Sequence, residues 1–155
     1  MRVDIKASLD VIESKLLEKK ELLKNFLIIE TKISEILRHD REDDVLTLIS
    51  DETDVLEILN LVEYDIFSEK DYIYSKTGKR FEEITGKNFP QFAEFEKKIK
   101  IISSESKEII SQLNQLKAEN MKKMETKSED LKKQVRELEL MNNLNIITPK
   151  DLQQL

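Results

Sequence analysis

From about Phe92 to about Leu144 the sequence carries one helical repeat: Phe92, Phe95, Ile99, Ile102, Ile109, Leu113 and Leu116, then Met124, Leu131, Val135, Leu138 and Met141. The intervals are three, four or sums of these, which sets the side chains along one stripe of an α-helix. A straight helix of that span would be roughly 75–80 Å long. A chain of 155 residues cannot wrap a compact core around such a rod. Part of the stripe is therefore expected to face a second copy or a different protein, the pattern of an interaction protein rather than an enzyme.

Two further helices precede it. Ile5, Leu9, Ile12, Leu16, Leu23, Phe26, Ile33 and Leu37 repeat at helical spacing with polar gaps at Lys19 and Glu30. Leu17, Leu22, Leu27 and Ile29 widen that stripe, as expected of a helix touching two neighbours. The charged segment from Arg38 to Asp44 breaks the pattern, with Asp40 placed to cap a second helix and Asp43 at its third position. Acidic side chains in that first turn suit the helix dipole. A second stripe follows through Val45, Leu48, Glu52, Val55, Leu59, Val62, Ile66 and Ile73, and Gly78 is the natural left-handed stop.

Between Gly78 and Pro90 lies the one real connector. Phe81 to Ile84 reads as a single helical turn ended by Gly86, and Asn88-Phe89-Pro90 as a turn into the next helix with proline at its first position. Phe81, Ile84 and Phe89 should pack this connector onto the bundle end. Tyr64, Phe67, Tyr72, Tyr74, Phe81, Phe89, Phe92 and Phe95 all fall in this part of the chain. They are read together as the best-formed part of the core rather than as a ligand pocket.

The expectation is an all-α fold: an elongated antiparallel three-helix bundle or coiled coil with a long C-terminal helix. One domain spans 1–145, with helices over about 3–37, 43–76 and 90–144, and 146–155 form a short flexible tail. The end of the third helix either projects beyond the bundle or folds back through a bend. With only 2 Gly and 2 Pro, little material exists for hairpins or phosphate-cradling loops.

Composition excludes several kinds of chemistry. The absence of cysteine removes disulfides, zinc thiolates and thiol catalysis. His39 is the one histidine, in a charged connector beside Asp40, and reads as a solvated residue rather than a ligand. The acids between Asp40 and Asp54 lack the central glycine and spacing of a calcium loop. No nucleophile elbow, P-loop or dinucleotide fingerprint occurs, so neither a cofactor nor a metal is expected. A formal charge of −6 disfavours nucleic acid and anionic membrane surfaces. The start of the chain lacks the apolar run of a signal peptide, and its longest apolar runs are too short to span a bilayer. A soluble, cytoplasmic protein with no membrane insertion is the expectation.

Within the long stripe, Asn120 occupies a position where the repeat calls for an apolar residue. A buried Asn fixes register in a coiled coil. On a helix awaiting a partner, Asn120 with Met121 and Met124 would instead make an adaptable docking surface. A third reading is a marginal coiled coil whose Asn faces water. The mixed charges beyond Lys117 describe a solvated face better than a nucleic-acid patch.

Three stretches resemble the FlgN family of flagellar type III export chaperones. They are Leu16-Leu17-Glu18-Lys19-Lys20-Glu21-Leu22-Leu23 in the first helix, the acidic entry Asp43-Asp44-Val45-Leu46-Thr47-Leu48-Ile49-Ser50-Asp51-Glu52, and Leu113-Asn114-Gln115-Leu116-Lys117-Ala118-Glu119-Asn120-Met121 in the last. The resemblance implies binding, not catalysis. Such chaperones hold the amphipathic C-terminal helices of hook–filament junction proteins and deliver them to the export apparatus. On that reading Leu116, Asn120, Met121, Met124, Leu131, Val135, Leu138 and Met141 form the client surface. The competing expectation is a coiled-coil scaffold in which a second copy, forming a homodimer, covers the same stripe.

Overall fold

The computed structural model describes residues 2–39, 42–84, 86–87, 89–90, 92–126, 133–138 and 140. It is an all-α bundle of three long helices, α1 (Arg2–Arg38), α2 (Glu42–Thr77) and α3 (Phe92–Met124). α1 packs along both α2 and α3. Ion pairs give the directions. Lys15 meets Asp65 at 3.2 Å and Lys19 meets Glu63, so α2 runs antiparallel to α1. Glu13 meets Lys98 at 3.8 Å and Lys20 meets Glu105 at 2.9 Å, so α3 runs parallel to it. The result is the expected up-down-up order.

The core follows the sequence stripes closely. All eight apolar members of the α1 stripe, Ile5 through Leu37, are buried, and so are its polar gaps Lys19 and Glu30. In α2, Val45, Leu59, Val62, Ile66 and Ile73 are buried with Glu52 in register among them. Each such aliphatic side chain contributes about 1.5–3 kcal/mol relative to exposure. Leu48 and Val55 are only half-buried, while Ile49 and Leu56 take the inward positions.

α2 stops as its sequence requires. Gly78 adopts φ +72° and donates its N–H to the Tyr74 carbonyl at 2.8 Å, a left-handed cap. The Thr77 hydroxyl donates back to the Ile73 carbonyl and accepts from the Lys79 N–H. The connector then makes a 3-10 turn, Phe81–Glu83. Gly86 sits so close to α3 that a Cβ there would lie 2.9 Å from the Ala93 Cβ, so only glycine fits. Its N–H donates to the Glu96 carboxyl at 3.2 Å. Phe81 packs edge-on against both Phe92 and Phe95, with centroids 5.8 and 5.9 Å away.

Two expectations are corrected. The third helix ends at Met124, not near Leu144. There the Thr126 N–H and hydroxyl both turn back to the Lys123 carbonyl, at 3.2 and 2.7 Å, closing the last turn locally. Residues 133–138 are again helical, and Val135 is 1% exposed in a cluster with Ile33, Leu37, Val45, Ile49 and Met124. A continuous helix would carry Val135 roughly 16 Å beyond Met124. Residues 133–138 therefore lie against the bundle end rather than on a straight continuation of α3. The second correction concerns the aromatic residues. Phe81, Phe92 and Phe95 are core and Phe89 packs against it, but Tyr64, Phe67 and Tyr74 face outward. The cap expected from Asp40 and the tail over 146–155 lie outside the described residues.

Candidate protein-binding surfaces

The residues expected to receive a client are largely inside the monomer. Asn120 is fully buried and its side-chain N–H₂ donates to both the Glu30 carbonyl at 2.9 Å and the Glu30 carboxyl at 2.8 Å. The polar position in the α3 stripe is thus answered by the polar gap in the α1 stripe, one turn from Ile33. Met124 and Val135 are buried, and Met121 and Leu138 pack half-buried against the same cluster. Leu116 is half-buried. Leu131 and Met141 lie outside the described residues. The expected surface is corrected for the described residues: Asn120, Met121, Met124, Val135 and Leu138 pack within the bundle's own end instead of waiting for a partner.

What remains uncovered is the outer face of α2. Leu61, Tyr64, Phe67 and Tyr74 are 66%, 68%, 68% and 49% exposed, with Ile58 at 44% on their flank. Their spacing of three, three and seven is helical, so α2 carries a second apolar row beside the Leu59–Val62–Ile66–Ile73 row it buries. The inner row satisfies α1. Among the described residues nothing covers the outer one. That second row is legible in the sequence only when the aromatic residues are sorted by helical face rather than by position along the chain.

At the C-terminal end of α2 the row borders an open hollow of about 400 Å³, lined by Phe67, Lys70, Asp71, Tyr74, Arg80 and Phe81 among others. Lys70 holds its ammonium 4.9 Å from the Phe81 ring centroid and 4.0 Å from the Glu82 carboxyl. Burial pushes its pKa down, against the pull of Glu82 and Glu63. Lys15, in contrast, is held up by hydrogen bonds to Asp65 and Glu18. Both are lysines of helix-packing ion pairs, not paired acid and base groups around a reacting atom.

His39 is exposed, and among the described residues no group of His, Cys, Asp and Glu could hold a metal ion. None of the described helices is long and apolar enough to cross a membrane. The chain matches no family model, no curated protein and no solved structure.

Proposed function

We propose that this protein acts by binding other proteins, as a cytoplasmic export chaperone of the FlgN type. It would hold an amphipathic C-terminal helix of a hook–filament junction protein and deliver it to the flagellar type III export apparatus. The observation that carries the binding role is the uncovered row Leu61, Tyr64, Phe67 and Tyr74 on one face of α2. Large apolar side chains in a contiguous exposed row mark an interaction surface, and an amphipathic helix is the shape that fits beside a helix face. The flagellar assignment rests on the three helical stretches that resemble the family. Catalysis has no part in this reading, which rests on an exposed apolar face rather than on any reactive group.

The test is light scattering after size exclusion, on the protein alone and co-expressed with the junction proteins of its organism. A monomer that forms a 1:1 complex with one of them is the expected result. A tight homodimer that ignores them would replace this reading with the scaffold alternative.

A further inference from the structure

The outer face of α2 is not only apolar. α2 carries eleven acidic side chains against two lysines, Lys70 and Lys76, whereas the whole chain carries a formal charge of only −6. The negative charge of the protein is thus concentrated on one helix. Some of it is directed inward or sideways, as where Glu63 meets Lys19 and Asp65 meets Lys15. Asp51, Asp54 and Glu57 are exposed and have no ion-pair partner among the described residues. They continue the row of Leu61, Tyr64 and Phe67 by helical steps toward the N-terminus of α2. Asp54, Glu57, Leu61 and Tyr64 share one face of α2, with Asp51 and Phe67 on its two flanks, so this face forms a strip that is acidic toward the N-terminus and apolar toward the C-terminus, about 24 Å long from Asp51 to Phe67.

We infer that this strip is the docking surface for a basic amphipathic helix of a partner protein, with Lys or Arg over Asp51, Asp54 and Glu57 and apolar side chains over Leu61, Tyr64 and Phe67. The inference builds on the reading that the chain captures a helix, and adds where it lies and what charge it carries. Charge complementarity selects this occupant. A parallel second copy would set Asp51, Asp54 and Glu57 against the same acids, and an antiparallel one would cover them with aromatic side chains that carry no positive charge; either leaves the carboxylates without a counter-charge. An anionic lipid surface is repelled by the same acids. The flat, open strip suits a helix laid along it, whose apolar side chains bury the aromatic half. Binding of this kind weakens with salt, because its acidic half is exposed to screening.

The experiment uses the full chain and two fluorescent model helices of about 20 residues, long enough to cover most of the strip. Both carry leucine on one face; one carries lysine on the other face and its counterpart carries glutamate. Fluorescence anisotropy should show the lysine helix binding and the glutamate helix not. Phe67→Ser should weaken binding by about tenfold or more, as should the double substitution Asp54→Asn with Glu57→Gln. Ile101→Ser, at an apolar residue 61% exposed on α3, should leave it unchanged. All of these positions are exposed, so circular dichroism of each variant should match the parent.

Equal binding of the two model helices, no binding of either, or lysine-helix binding that survives Phe67→Ser would overturn the inference. So would a dimer of the protein alone that Phe67→Ser dissociates, since a second copy would then be the occupant. The two readings fail separately. A junction protein that binds parent and Phe67→Ser alike keeps the chaperone role and removes this surface. A lysine helix held through Phe67, with no junction protein bound, keeps the surface and removes that role.

Discussion

At one end of the bundle Phe81, Phe92 and Phe95 close over Ile5, Leu9, Ile73 and Ile84 in an apolar cluster, with Ser8 buried beside Leu9 and Lys70 at its edge. Near the other, Glu30, Ser34 and Asn120 are buried within a turn of Ile33, Leu37, Met124 and Val135. The two ends stabilise the same three helices by different physics. Apolar burial is non-directional, so the aromatic end would tolerate small shifts of one helix along another. The Asn120–Glu30 contact is directional, and it fixes which turn of α3 meets which turn of α1. The first end should therefore dominate stability and the second should dominate register.

The comparison breaks most easily at Phe81. Phe81→Ala removes both edge-on ring contacts and leaves a cavity between the connector and α3. The expected loss is about 3–5 kcal/mol in urea denaturation. A loss under about 1 kcal/mol would mean the connector contributes little and the aromatic end is not the stable one.

At the polar end Asn120→Ala should cost less, about 2–3 kcal/mol, because it strips the buried Glu30 carboxyl of its donor. The informative variant is the pair Asn120→Leu with Glu30→Met. Replacing both partners by apolar groups should recover most of the stability or exceed the parent. If the contact fixes register, the double variant should also show broadened or doubled amide NMR signals along α3. A single sharp set of signals would show that apolar packing alone sets the register.

Val135 tests whether residues 133–138 belong to this end. Val135→Asp should cost about 2 kcal/mol, near the burial free energy of the side chain. The cost is capped because residues 133–138 can detach without opening the three-helix core. An unchanged urea midpoint would show that these residues do not close the bundle.

The three-helix order was legible in the sequence because each stripe is long and its polar gaps keep the helical period. Even Lys19, Glu30 and Glu52, polar members of those stripes, are where the period puts them. The end of α3 was not legible by the same rule. Between Met124 and Leu131 the stripe positions are Lys127 and Ser128, and an interval of seven still satisfies the helical period. Asn120 makes a similar gap, between Leu116 and Met124, yet the helix continues through it because Glu30 supplies a partner. A stripe cannot say which polar interruption will find one, since the partner lies ninety residues away. That single ambiguity moved the expected binding surface into the core. The surface left open instead lies in α2, where a second apolar row emerges only when residues are sorted by helical face.

Lys70 supplies the smallest and last test of the contrast, because it is the charge admitted at the aromatic end. Its side chain is 17% exposed, beside Glu82 and over Phe81. Desolvation is the largest influence on it and lowers its pKa below 10.5; Glu82 and Glu63 oppose the shift and Lys19 adds to it. A lysine that binds its proton less tightly when folded leaves the unfolded chain holding more protons in the window just below 10.5. Stability should therefore rise with pH as Lys70 deprotonates in the folded state, and the gain should be complete above 10.5. Lys15 acts in the opposite sense, since its raised pKa means its contribution is lost only above that range. Lys70→Met keeps the apolar stem and removes the titration. Stability at neutral pH should change by less than about 1 kcal/mol, and the rise approaching pH 10.5 should disappear from urea denaturation series. If the rise persists in the variant, another group carries it, and the aromatic end excludes charge less strongly than its packing implies.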